Sequence, residues 1–586
     1  MTKVNKGDFT MICPNLLYSK VPRPPQPDNP TDEERNKMSY YALYRTCHTE
    51  DFYNIAEALS PPKSITVLAN PGEFKGKRVG IIGGGLAGMS SAFELRKLGF
   101  DITIFEASAE RIGGRVYTYY FDKEKELYGE LGPMRIPVNH ETVWHYINLF
   151  KLKTRPFRQT DPNTFIYLHQ TRVRNDAYGE NVKKYIYPTY NLTTMERKTA
   201  WQELGYYAIE APILKAPPSS RIEIIKVKET YSKHLLYWDS LNTRQMFESR
   251  NLSQGAINLL SNLFPIGGEF LYNNYVDFVQ EYFPVNFWFM YEINDGLVNL
   301  PLAFYKSFLS NTPQEYYPDI PLHLLGKVKW KSGNTVKGIY RRENSTVTLS
   351  YQDKVSQEIQ YEDFDYIICA IPFSVLRTMD IRPMFSSTKM QAIKEVNYVN
   401  AQKSLFNCNK RFWEEQGIFG GGSYTDLPIT TIWYQSNTEN SEAKADSDLN
   451  QKRAERPGVF LASYNFNLDT VRLGNMDEKE RFKKIKRDVE EVHGLQKFEL
   501  DSIVTDYKTQ VWNDDPLFRG AFCYFTPQQK ELFSWEMTLP EYNNRVFFAG
   551  EHVSALHRWM QGALKSGMEA ANALVGSEVK AANIRG

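Results

Sequence analysis

Residues 78–106 read RVGIIGGGLAGMSSAFELRKLGFDITIFE, and the glycines in that stretch decide how the chain begins to fold. A β-rich apolar run, Val79–Ile82, meets Gly83-x-Gly85-x-x-Gly88, and SSAFELRKL then continues at helical spacing. Gly99 ends the predicted helix, and Asp101–Phe105 alternates toward Glu106. Strand, helix and strand in so short a span form the unit that builds a parallel sheet. Glu106 stands 23 residues beyond Gly83, where a dinucleotide fingerprint carries its acid. Gly83 permits the tight turn, Gly85 lets backbone approach a pyrophosphate, and Gly88 lets helix and strand pack closely. The helix N-terminus at Leu86 and Ala87 attracts the phosphate charge. At the ribose end, beside Ala107, the Glu106 carboxylate suits a diol and repels a 2′-phosphate, which disfavours NADP. Gly113-Gly114-Arg115 adds a second glycine turn and a cation, which points to FAD rather than NAD.

The far end supplies a complementary piece, NRVFFAGEHVSALHRWMQGALKSGMEAANAL (544–574). Val546–Phe548 reads as a strand, AGE as a turn, and a helix with small residues on one face follows from about residue 559. A helix N-terminus there favours negative charge on a bound cofactor. A cofactor gripped by both ends of the chain implies a domain built from discontinuous segments.

The 586 residues are too many for one simple core, so two or three domains are expected. Seventy Lys+Arg against 69 Asp+Glu leave a net +1, which gives no electrostatic case for nucleic acid or an acidic membrane as partner. The first 20 residues lack the apolar run of a signal peptide. No stretch approaches the ~20 apolar residues of a membrane span. Five scattered cysteines (13, 47, 369, 408, 523) show no metal or redox spacing. Reduced thiols, a cytoplasmic location and no metal are therefore expected.

Between the two ends, helix-like pieces appear around 31–45 and 50–59, and residues 175–310 turn mostly helical. Residues 325–372 alternate like strands, and 440–456 is charged enough for a solvated insertion. One loop, GELGPMRIP (129–137), sets Arg135 among apolar neighbours. A guanidinium in such surroundings needs an anionic partner. That partner is either an internal carboxylate or the carboxylate of a substrate.

Taken with IGGRV, INDGLVNLP (293–301), FWEEQGIFGGGSYTDLP (412–428), LASY (461–464), GAFCYFTP (520–527) and FAGEHVSALHRWMQGALKSG (548–567), these motifs make the chain resemble the flavin-containing amine oxidases, most closely the L-amino-acid oxidases. The resemblance spans roughly residues 45–575. It implies an α/β fold with a discontinuous Rossmann-like FAD domain, a mixed-sheet substrate domain and a helical domain. The expected boundaries are a helical lead (1–75), FAD-domain pieces at 76–117, 286–395 and 506–586, substrate-domain pieces at 118–174 and 396–505, and helices at 175–285.

Residue by residue, the resemblance implies that Arg135 and Tyr464 bind the substrate carboxylate. Lys403, in NAQKSLF, would hold a water against the flavin, and Trp559 would border the substrate beside it. Val328 is expected at adenine and Glu551 at the ribityl chain. Gly132, Pro133, Met134, Trp512, Gly550 and Met560 complete the cofactor contacts with the glycine loops, and Phe466 and Phe522 line the pocket. Two departures stand out. The chain has no histidine between His234 and His323, so the histidine of secreted relatives is missing and Gln280 sits near its place. Arg558 stands where those relatives commonly have glycine, and its side chain would either crowd the site or contact an acidic substrate. The activity implied is oxidation of L-amino acids, large apolar or aromatic, by dioxygen in a homodimeric enzyme. The alternatives are a decarboxylating monooxygenase, an amine oxidase with a structural Arg135, and a flavin-binding protein without turnover.

Overall fold

The glycine-rich turn lies at the end of the central strand of a five-stranded parallel sheet. In a computed structural model, which describes residue 13 and residues 15–264, 268–316, 318–343, 346–436 and 453–585, the strand order is Val328–Ser332, Asp101–Glu106, Arg78–Ile82, Tyr366–Cys369, Val546–Phe548. Every neighbouring pair runs parallel. Strands from opposite ends of the sequence thus share one sheet. Its central strands are buried on both faces, as near-continuous Val/Ile runs require.

The helix Leu86–Lys97 packs against the long C-terminal helix Met560–Arg585. Ser90 and Ser91 donate across that contact to the carbonyls of Leu564 and Gly567, at 3.0 and 2.9 Å. A Cβ on Gly567 would come within 2.0 Å of Ser90 Oγ, so the two helices meet closely only because the position is glycine.

Two further sheets position side chains. A seven-stranded mixed sheet runs Val504–Val511, Ala401–Cys408, Gly458–Phe466, Thr431–Tyr434, Gly422–Thr425, Phe165–Leu168, Thr171–Arg174. It is antiparallel except where Gly422–Thr425 pairs in parallel with Phe165–Leu168. Its register sets Lys403 directly opposite Tyr464. A three-stranded sheet, Ile136–Pro137, Met290–Ile293 and Thr154–Phe157, fixes the chain immediately after Arg135. Short helices recur through residues 194–263 and 268–279.

Helices occupy Asp32–Arg45 and Phe52–Leu59, close to the stretches expected from the sequence. The first opens with a capping box in which Thr31 and Glu34 satisfy each other's backbone N–H groups. Residues 440–452 of the charged segment lie outside the described residues.

The expectation of five reduced thiols is overturned, because Cys13 and Cys47 form a disulfide. No motif spacing marks the pair. The fold makes it: Arg45, at the end of the first helix, donates to the carbonyls of Asn15 and Leu16 and holds that segment beside Cys47. Cys369, Cys408 and Cys523 are free and buried. Denatured, unreduced protein should therefore titrate three thiols, rising to five after reduction. Five thiols before reduction would exclude the bridge.

Candidate active site

A cavity of about 660 Å³ runs from the glycine loop to the seven-stranded sheet. At one end it is lined by Gly83, Gly85, Leu86, Ala87, Glu106, Ala107, Gly114 and Arg115. Gly132, Pro133, Trp512, Gly550, Glu551 and Met560 follow, and Lys403, Tyr464, Phe522, Arg558 and Trp559 close the other end. Most of the residues named from the sequence thus meet around one space.

The glycine end has the shape of a phosphate cradle. An added Cβ on Gly85 would meet no atom within 4 Å, so this backbone faces open cavity. Gly88 differs. Its Cβ would fall 2.1 Å from the Gly83 carbonyl, so this glycine serves helix–strand packing and does not line the cavity. Glu106 accepts from the N–H groups of Gly84 (2.9 Å) and Ser108 (2.7 Å), which fixes its buried carboxylate at the cavity wall. Burial raises its pKa, against the lowering effect of those two bonds.

Val328 is not at this end. It is half-buried and pairs with Ile102 on the edge strand, whereas Ser332, further along, pairs with Glu106. Ligands on such sheets gather at the carboxyl ends of the strands, so the segment after Ser332 reaches the cavity. Asn334–Lys337 line it, Val336 among them.

Glu551 joins the two ends of the cavity. Its Oε1 accepts from Arg115 Nη1 (2.8 Å) and from the N–H of Cys523 (3.1 Å), and its Oε2 accepts from the N–H of Arg558 (2.9 Å). Trp512 donates its indole N–H to the Leu131 carbonyl at 3.0 Å.

At the opposite end Lys403 is buried. Its ammonium donates to the carbonyls of Gly132 (2.6 Å) and Glu130 (3.3 Å) and sits 4.4 Å from the centre of the Tyr464 ring. Burial pulls its pKa down to about 7; Glu130 opposes this shift, while Arg135 and Arg558 add to it. Arg135 is also buried. Its Nη1 donates to Gln159 Oε1 at 2.8 Å, and its guanidinium lies 4.5 Å from the Trp433 ring centre. Among the described residues no carboxylate reaches salt-bridge distance of it. Burial lowers its pKa to about 10, which leaves it cationic, and Tyr464, Arg558, Tyr424 and Glu281 are its electrostatic neighbours.

Arg135, Met134 and Phe466 do not line the cavity itself. Phe466 backs the wall instead, its ring 4.6 Å from that of Tyr464 and 6.0 Å from that of Phe522.

Sequence reasoning missed Glu281. The missing histidine directs attention to Gln280, but the next residue carries the contacts. Glu281 Oε1 accepts from Trp559 Nε1 (3.1 Å) and Arg558 Nε (2.7 Å). Burial pushes its pKa up to about 7, with Arg558, Trp559 and Arg135 pulling the other way. The available signal was a pair of acids, Asp277 and Glu281, in the aromatic run YVDFVQEYF.

A parallel dinucleotide sheet, a phosphate cradle and a long cavity ending at a buried lysine and tryptophan define a flavin-dependent oxidoreductase. Residues 86–575 match the family described as flavin containing amine oxidoreductase, and the chain belongs to that family, with FAD as cofactor. The L-amino-acid oxidase of Sistrurus catenatus edwardsii is 28% identical over 547 residues, with 92% of each chain covered. That of Crotalus adamanteus is 29% identical over 546 residues, with the same shares. Among solved structures, putrescine oxidase bound to putrescine matches with a TM-score of 0.61 at 14% identity, covering 84% of this chain and 98% of its own. Cyclohexylamine oxidase from Brevibacterium oxydans gives 0.62 at 14%, covering 85% and 98%. At that identity the two structures speak for the fold.

Gly85→Val tests the cradle. It should leave the protein folded, because the backbone there is extended and the space is empty, yet abolish FAD retention. Gly88→Val should instead lower the melting temperature, since its side chain meets the Gly83 carbonyl. Full FAD content in Gly85→Val would place the nucleotide elsewhere.

Proposed function

We propose that the enzyme oxidises L-amino acids with large apolar or aromatic side chains, giving 2-oxo acid, ammonia and hydrogen peroxide. The observation that carries this reading is Arg135. It is buried and cationic, it meets no carboxylate, and it lies beside Tyr464. A buried guanidinium left without an anion is costly. An amine substrate would bring it none, whereas an amino acid brings the missing carboxylate. The relatives named L-amino-acid oxidase support the same substrate class.

Bound FAD supplies the two-electron chemistry, taking hydride equivalents from Cα and delivering them to dioxygen. The protein's part is orientation and charge. Arg135 and Tyr464 anchor the carboxylate, which turns Cα–H toward the cofactor, and such positioning contributes much of the rate. Trp559 closes one wall, held by its bond to Glu281. Lys403 keeps a donor and a cation at the inner end, where it stabilises developing negative charge. Water hydrolyses the imino acid product to ammonia and 2-oxo acid. The Cys13–Cys47 bridge favours an oxidising compartment over the cytoplasm expected from the sequence.

Lys403→Met should keep FAD bound yet slow turnover, because it removes the only ammonium at this end of the cavity among the described residues. Wild-type rates in both half-reactions, measured by stopped flow, would remove Lys403 from the mechanism.

Arg135→Ala provides the decisive test. Breaking a buried ion pair costs roughly 3–5 kcal/mol, and each ~1.4 kcal/mol is tenfold. The kcat/KM for the best L-amino acid should therefore fall about 10²–10⁴-fold, with lysine at this position restoring only part of it. The corresponding amine, lacking the carboxylate, should lose little. Equal losses on both substrates with a lowered Tm would make Arg135 structural.

A further inference from the structure

We propose that Arg558 and Glu281 form a side-chain subsite that admits amino acids with a second carboxylate when Glu281 carries a proton, and apolar ones when it does not. This rests on the L-amino-acid oxidase reading and names the substrate class that the pocket selects.

The geometry comes first. An α-amino acid with an apolar side chain has one carboxylate, and Arg135 is placed for it. A second buried guanidinium, that of Arg558, lies close enough to Arg135 to affect its charge and stands on the cavity wall next to Phe522 and Trp559. The chain holds Arg558 at φ +63°, a conformation that L side chains disfavour. Its Nε is committed to Glu281 Oε1 at 2.7 Å, but its Nη1 is buried without a partner. Glu281 Oε2 is likewise buried without a partner. Arg558 lines the cavity at the end away from the glycine loop and Glu281 stands behind it, so the pair leaves one donor and one acceptor unpartnered there.

A substrate carboxylate would satisfy Nη1, but only if its negative charge were not set beside a second one on Glu281. A protonated Glu281 removes that repulsion and offers an O–H donor in its place. The groups around Glu281 balance closely. Arg558 and Trp559 from the C-terminal segment and Arg135 from its loop favour the charged form. Asp277 on the same segment, tied to His557, opposes it. Tyr282, Tyr464 and Tyr524 also face it. Burial is the largest influence and sets the carboxyl to titrate near neutrality, at about 7. Below that pH Glu281 is neutral and Arg558 is free to take an anion. Above it Glu281 neutralises Arg558, and the pocket presents Phe522 to an apolar side chain.

The test is calorimetric titration of the FAD-loaded enzyme with glutarate, which carries both carboxylates of a five-carbon dicarboxylic amino acid, and with pentanoate, which carries one. Two buffers of different ionisation heat count the protons. Glutarate binding should weaken about fivefold between about pH 7 and pH 8, with proton uptake rising from about half a proton per site toward one. Pentanoate should take up fewer protons and weaken less over the same interval, because only the buried Lys403, which both ligands share, responds to it. In peroxide assays the kcat/KM of glutamate relative to leucine should fall over the same interval. Glu281→Gln should abolish that pH dependence, and Arg558→Gly should lower the ratio at least tenfold near pH 6, with Arg558→Lys restoring part of it. Equal pH profiles for glutarate and pentanoate in wild type, or an unchanged ratio in Arg558→Gly, would overturn the subsite. Peroxide from no amino acid, alongside proton-linked glutarate binding, would refute the oxidase reading and leave the subsite standing.

Discussion

Glu551 is the carboxylate on which the geometry of the cavity depends. Its two oxygens collect one guanidinium and two backbone N–H groups, from Arg115, Cys523 and Arg558. Those partners belong to the second glycine turn, a short strand and the loop before the C-terminal helix, which are far apart in sequence. Three donors on one buried carboxylate form charge-assisted bonds that are shorter and stronger than neutral ones. Arg558 owes its position to one of them, and Trp559 follows directly in the chain. The cofactor end and the substrate end thus share one anchor, so a disturbance at either is felt at both.

The inner end is notably cationic. Arg558 lowers the affinity of Arg135 for its proton, and both arginines lower that of Lys403. Among the described residues, Glu281 supplies the one carboxylate in a side-chain ion pair with any of them. Burial alone would oppose such an arrangement, because removing charge from water costs far more than a neutral pair returns. A site that accepts an anionic substrate accounts for it. Lys403 relieves its own share by titrating near 7 and by donating to two backbone carbonyls.

Much of this was legible in the sequence, and the failures have physical causes. The glycine pattern and Glu106 name backbone constraints that only a few residues satisfy, so their positions transfer directly to the cavity wall. Val328 failed on register: KVKWKS and NTVKGIYR both alternate, and only the pairing of Ser332 with Glu106 shows which of them reaches the carboxyl edge of the sheet. Gln280 stands near the place of the missing histidine, and the contacts fall one residue further on, at Glu281. Successive residues on a helical turn diverge by about 100°, so the neighbour Glu281 points at Trp559 while the sequence offers no choice between them. The disulfide was invisible because cysteines 34 apart without a motif carry no pairing information.

The substrate end divides its work between stiff and adjustable parts. Lys403 and Tyr464 face each other across the central strands of a seven-stranded sheet, where backbone bonding on both sides leaves little freedom. Arg135 directly precedes a paired strand. In the proposed reading those three handle features common to every amino acid, the carboxylate and the reacting carbon. Arg558 stands on a loop in a disfavoured backbone conformation, and Glu281 follows a short helix. Their mutual bond joins a guanidinium to a carboxyl that titrates near neutral pH, at about 7. A rigid site for the invariant part of a substrate, flanked by a titrating pair for the variable part, would let one enzyme change what it accepts while keeping the reacting atoms in register, as the proposed subsite requires.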